Sequence, residues 1–304
     1  VLIEMLLTIL NKGAVVARPK CPLRRRADDL LNLRRPRRRL RPPSVDSVYL
    51  MWTPSILLII TLTNAERVTI SSDSSTSQYD VPWAPRGGFT FDASQNVSAV
   101  RQKIFAMPFL QELVDGTLPQ ATFAFYLTQD SLYLRQYAKV LAALASRAPT
   151  SAITQTMAQA ADWTLAYEQG TLTASYLSAI DISNAEPSPA GSAYIHFMQS
   201  RLAVAPYEVA FAAAVPCYTI YAEVGRHIQS LNVPLEDHPY SEWMSTYGGI
   251  EFERWTQRVT SALDEIAASA SPSVREEMLA AFRQSTRFEW MFWDSAHRRE
   301  AWPI

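Results

Sequence analysis

From Asn96 to the end of the chain, apolar residues recur at steps of three and four, and alternating runs of strand type are nearly absent. Such spacing puts the apolar side chains on one face of a helix, so the sequence predicts an all-α domain. Glycine reinforces this, with only nine residues in 304. Hydrophobic residues make up 48% of the chain, including eight Trp, 13 Tyr and 12 Phe, which is enough to bury a sizeable core. The length suits one large domain with extensions, or two smaller domains.

Charge divides the chain. Residues 18–41 hold 11 of the 28 Lys and Arg and only two acids, Asp28 and Asp29. The remainder carries 17 basic against 27 acidic groups, a formal −10, which disfavours a grip on nucleic acid backbone. The basic stretch "RPKCPLRRRADDLLNLRRPRRRLRPP" is proline-punctuated and cannot build a core. It reads as a disordered extension, with an organelle-targeting arm or an anionic-surface tether as alternatives. "SILLIITLT" (55–63) is too short for a membrane span, which takes about 20 residues. "SSDSSTSQYD" (71–80) has linker composition. The division expected is therefore 1–80, a low-complexity extension, and 81–304, a helical domain of about seven or more helices. The two cysteines, Cys21 and Cys217, support no disulfide framework, and a reducing, cytoplasmic setting is the default.

Helix punctuation sets the boundaries. Asn96 or Ser98 can cap a helix running through "VRQKIFAMPFLQELVDG", and Thr117 can cap the next, with Pro119 in its first turn. Further helices are expected over 151–182, 190–204, 206–231, 239–269 with a break at Gly248-Gly249, and 272–299 with Glu276 and Glu277 in an acidic first turn.

The helix expected over 206–231 contains its own disruption, "AFAAAVPCYTIYAEVGRHI". Pro216 removes the bond to the Ala212 carbonyl and bends the chain beside Cys217, at about 3 kcal/mol unless compensated. Four alanines (Ala210, Ala212, Ala213, Ala214) let a neighbour approach closely, and Tyr221 shares a face with Cys217. A free cysteine is commonly a small core hydrophobe; a thiol displayed at a kink among aromatics is also a nucleophile candidate. Two acids change the weighting. Asp130 lies in the apolar "FYLTQDSLYLRQYAKV" with Tyr133 three residues on, and Glu289 lies between aromatics in "RFEWMFWDSAH". Carboxyls in such surroundings are neutralised, paired or functional. The four histidines have no metal-ligand spacing, and no Gly-x-Gly-x-x-Gly, P-loop or Gly-x-Ser-x-Gly motif occurs.

Four phrases, "MPFLQELVDGTLPQATFAFYLTQDSLYL", "PCYTIYAEVG", "YSEWMSTYGGIEF" and "FEWMFWDSAHRREAW", stand in an order and spacing that resembles the TenA / thiaminase II family over about Asn96 to Trp302. The resemblance implies a heme-oxygenase-like helical fold without heme, homotetrameric assembly and no cofactor. Its implied activity is hydrolysis of aminopyrimidines in thiamin salvage. The implied substrates are 4-amino-5-aminomethyl-2-methylpyrimidine, losing ammonia, and thiamin, losing its thiazole. Cys217 matches the family nucleophile, in what looks like the cysteine-type branch. Asp130 matches the carboxylate at the pyrimidine amino edge, and Glu289 the acid for ring protonation. Tyr133, Tyr194, Tyr221 and Tyr247 match pocket tyrosines. Thr219 and Phe288 depart from frequent Trp and Tyr, which bears on substrate preference.

The chemistry asks for the same residue types. Thiolate addition to the ring removes aromaticity and lets ring electrons expel a leaving group from the adjacent methylene. A carboxyl of raised pKa can protonate a ring nitrogen, and a second carboxylate can accept from the amino group. Two alternatives are a non-catalytic pyrimidine-binding or regulatory protein on the same bundle, and a heme or di-metal oxidase. The latter lacks ligands at helical spacing.

Overall fold

A computed structural model of the protein describes residues 81–166, 182 and 184–304. Cys21, the basic stretch, the 55–63 and 71–80 segments, the boundary at residue 80 and the last part of the helix expected over 151–182 lie outside the described residues.

The described chain is helical, with no strand among the described residues. Three short helices, α1 (Phe89–Asn96), α2 (Ser98–Phe105) and α3 (Pro108–Val114), lead into the long α4 (Gln120–Arg147). Then come α5 (Ser151–Trp163), α6 (Pro189–Val204), α7 (Tyr207–Ala214), α8 (Pro216–Ser230), α9 (Ser241–Tyr247), α10 (Ile250–Ser269) and α11 (Pro272–Arg298). The 28 residues of α4 extend about 42 Å at the α-helical rise. It forms a hairpin with α5, while α11 packs along α7, α6, α4 and α8. No helix among the described residues is long and apolar enough to cross a membrane.

Several boundaries differ from the sequence expectation for local reasons. The helix expected from 98 stops at Phe105 because Pro108 starts α3, its ring filling a first-turn position whose N–H has no helical partner. Neither Asn96 nor Ser98 caps α2; Val97 holds that position, with no side-chain bond. Pro119, not Thr117, precedes α4, and the Thr117 hydroxyl instead turns back to the Glu112 carbonyl. The first turn of α11 holds no acid; Ser271 caps it by accepting from the Val274 N–H at 3.3 Å. Ser188 caps α6 in the same way through Gly191.

Pro216 is the larger correction. It does not sit inside one helix but opens α8, directly after the single residue Val215 that ends α7. The carbonyls left at the break find side-chain donors. The Ser285 hydroxyl donates to the Ala213 carbonyl at 2.6 Å, and the Tyr137 hydroxyl to the Ala214 carbonyl at 2.7 Å. The penalty expected for a mid-helix proline is thereby largely offset, and the break is locked from α4 and α11. The alanine run is fully buried, and α11 lies against it.

Candidate active site

Five helices, α4, α6, α8, α9 and α11, bring the marked residues to the centre of the bundle. Asp130, Leu134, Cys217, Tyr218, Tyr221, Tyr247 and Phe252 line a tight cavity of about 10 Å³. Asp130 comes from the middle of α4, where its neighbour Gln129 points elsewhere. The Gln129 side chain takes the Ser188 N–H at 2.7 Å and donates to the Glu186 carbonyl at 3.0 Å. The Gln-Asp pair thus divides its work, one residue tying down the chain before α6 and the other facing the cavity. Cys217 sits in the first turn of α8 and is 9% exposed. Tyr221 follows one turn later, and Tyr247 closes α9 against it, with ring centroids 4.7 Å apart.

Tyr133 and Tyr194 pack together at 5.1 Å, and Phe288 stacks on the far side of Tyr194 at 5.5 Å. Glu289, from α11, accepts a hydrogen bond from the Tyr194 hydroxyl at 2.6 Å. It does not line the cavity wall with Asp130, but its charge is felt by Tyr133, Tyr194 and Tyr221. The Tyr133 hydroxyl is buried without a hydrogen-bond partner among the described residues. A buried polar atom left this way is a place for a ligand atom or a water.

Burial governs the electrostatics. It raises Asp130 to about 7. It raises Glu289 to about 8, the Tyr194 hydrogen bond lowering the value and the charge of Asp130 raising it. Two carboxyls that both hold or release protons near neutrality, beside a thiol and ringed by tyrosines, can serve acid–base and covalent chemistry on a flat aromatic ligand. All seven residues marked in the sequence therefore fall in one aromatic-walled region. The sequence reading missed Tyr218 and Phe252, which line the cavity, and Tyr126 and Trp243, which stand behind Tyr221. Tyr126 could have been found, since it lies one helical turn before Asp130 on the same face.

The all-helical bundle places the fold in the heme-oxygenase-like class. Heme oxygenase from Leptospira interrogans shares this fold, with a TM-score of 0.51 and 15% identity over 68% of this chain and 99% of that one. Residues 94–299 match the TENA/THI-4/PQQC family, and the chain belongs to it. The chain is 34% identical over 204 residues to an aminopyrimidine aminohydrolase of Bacillus subtilis, covering 65% of this chain and 85% of that protein. It is 33% identical over 218 residues to a thiamine biosynthesis multifunctional protein ThiED of Corynebacterium efficiens. That match takes in 71% of this chain but only 29% of the much longer relative. Among solved structures, the TenA homologue of P. horikoshii superposes with a TM-score of 0.60 and 26% identity, over 69% of this chain and 99% of that one.

The likeness to heme oxygenase does not extend to an axial imidazole, since none of the four histidines lines the cavity. His196 is exposed on α6, and His227 stacks on Phe105. His238 bonds the Val114 carbonyl and the Tyr240 N–H, and His297 faces Glu112.

Proposed function

We propose that the protein is an aminopyrimidine aminohydrolase of thiaminase II type, acting in thiamin salvage. The observation that carries this is a thiol and a proton-holding carboxyl on one small aromatic cavity, with a second such carboxyl bonded to Tyr194 nearby, in a chain 34% identical to an aminohydrolase of that name. Its substrates are 4-amino-5-aminomethyl-2-methylpyrimidine and thiamin.

In the reaction, the pyrimidine lies among the tyrosines with its amino group toward Asp130, whose carboxylate accepts from it. Glu289, protonated at neutral pH because of its burial, delivers a proton to a ring nitrogen. The Cys217 thiolate adds to a ring carbon, forming the S–C bond as the ring loses aromaticity. The ring electrons then break the bond between the methylene and its leaving group, which departs as ammonia, the amine having entered as the ammonium, or as the thiazole. Water adds to the exocyclic methylene, and the proton it releases goes to the ammonia or to solvent. The S–C bond breaks, and the ring proton returns to Glu289. The balance is aminomethylpyrimidine plus water giving hydroxymethylpyrimidine plus ammonia, and the thiolate is regenerated.

Homotetrameric assembly, resting on the resemblance to the family, and a cytoplasmic location, the default for a chain with two cysteines and no disulfide framework, accompany this reading. Chromatographic detection of hydroxymethylpyrimidine from each substrate tests the activity. Product from either supports it; binding of both without product would replace it with a pyrimidine-binding role.

A further inference from the structure

Behind the cavity wall, three side chains that the proposed reaction does not use directly, or uses only at one end, form a hydrogen-bonded line. The Trp243 indole N–H donates to the Tyr126 hydroxyl oxygen at 3.2 Å, and the Tyr126 and Tyr221 hydroxyls are 3.1 Å apart. Tyr126 is 0% exposed. Its ring is walled by Phe109, Phe123, Phe292 and Trp243, none of which offers an acceptor atom.

The direction of the Tyr126–Tyr221 bond follows from counting donors and acceptors. A phenol has one proton to give. The Trp243 indole can only donate to Tyr126, so the acceptor that remains for its proton is the Tyr221 oxygen. Were Tyr221 to donate instead, the Tyr126 proton would be buried with no acceptor, the costlier arrangement. Tyr126 therefore donates, Tyr221 accepts, and the Tyr221 proton is left to point into the cavity it lines with Asp130 and Cys217.

We infer that Trp243 and Tyr126 are positioning residues that fix Tyr221 as a hydrogen-bond donor into the cavity, making the site selective for a ring that presents an acceptor nitrogen there. This rests on the aminopyrimidine reading. The line of bonds also holds the Tyr221 oxygen in place and polarises its O–H, each bond strengthening the next. Specificity arises because a ring carbon at that position leaves the donor unpaired.

The test is equilibrium binding of hydroxymethylpyrimidine to the full chain, beside two pyridine isosteres that each replace one ring nitrogen by C–H. The wild-type protein is expected to bind one isostere about tenfold more weakly than the pyrimidine, in keeping with one lost hydrogen bond. Tyr126→Phe is expected to weaken the pyrimidine about fivefold, to leave that isostere unchanged, and to have no further effect in a Tyr221→Phe background. Trp243→Phe, which keeps the phenol, should show the same ligand-selective loss to a smaller degree. Equal losses for pyrimidine and isostere, or equal losses in both Tyr221 backgrounds, would show a merely structural role and overturn the inference. Because binding is read without turnover, a protein that binds as described but releases no ammonia would sink the hydrolase reading alone. No pyrimidine binding by the wild type would overturn both.

Discussion

The Tyr194 hydroxyl donates to Glu289 Oε1 at 2.6 Å, a bond between α6 and α11 that lies entirely within the core. Among the described residues it is the only side-chain hydrogen bond to this carboxyl, and it favours the ionised form against the larger effect of burial. Tyr194→Phe should therefore push Glu289 above its value of about 8. The alkaline limb of the kcat/KM profile should move to higher pH, with about 1–3 kcal/mol lost from stability. A pH–rate profile beside thermal denaturation checks both; an alkaline limb that stays or moves down would detach this limb from Glu289.

A bell-shaped profile is expected in the wild type. The pair titrates near 7 and 8, so the arrangement with one ionised and one protonated carboxyl is most populated between those values. Activity should rise as Asp130 ionises and fall as Glu289 loses its proton, and Glu289→Gln should abolish the alkaline limb together with most of the rate. A flat profile between pH 6 and 9, with both carboxyls intact, would contradict the assignment.

The same shifts predict a trend in stability. Both carboxyls bind protons more tightly in the folded protein than in the unfolded chain, where they titrate near 4. Stability should fall as pH rises from about 4 to about 8, and no further through these groups above that. Denaturant titrations across this range should show a shallower fall in Glu289→Gln than in the wild type.

The proline break makes a separate prediction. The Tyr137 and Ser285 hydroxyls satisfy the carbonyls of Ala214 and Ala213 just ahead of Pro216. Tyr137→Phe and Ser285→Ala should each cost about 1–3 kcal/mol by leaving a buried carbonyl unpaired. They should also lower Cys217 reactivity toward an alkylating reagent, because the break fixes the first turn of α8. Unchanged stability in both variants would mean that water or a backbone shift replaces these bonds.

Gly225 marks where α8 and the end of α9 touch. A Cβ at this position would lie 2.0 Å from the Tyr247 carbonyl oxygen, so the two backbones meet with no room for a side chain. Gly225→Ala should displace Tyr247 from the cavity and raise KM more than it lowers kcat. Wild-type kinetics in that variant would show that Tyr247 does not contact the substrate.

Much of this arrangement was legible in the sequence because it obeys local rules. The three- and four-residue apolar steps give the helices, and Asp130 and Glu289 stand out as acids in apolar helical surroundings. What escaped was non-local. Nothing in "AFAAAVPCYT" says that Tyr137 and Ser285, 77 and 72 residues from their acceptors, will supply the missing donors. That is why Pro216 read as a costly kink when it is the start of a new helix. Thr117 and Pro119 are equally plausible as helix starts by composition; the choice was made by the turn at Gly116, whose φ of +70° sends the Thr117 hydroxyl back to Glu112. Tyr126 and Trp243 do not stand out in the sequence, because a hydroxyl and an indole 117 residues apart show no pairing there.

The most direct measurement of the central claim is ammonia release from 4-amino-5-aminomethyl-2-methylpyrimidine by the wild-type chain and by Cys217→Ala. The account predicts steady turnover in the first, and a loss of at least a thousandfold in the second with pyrimidine binding retained. Turnover that survives in Cys217→Ala would contradict a covalent role for the thiol.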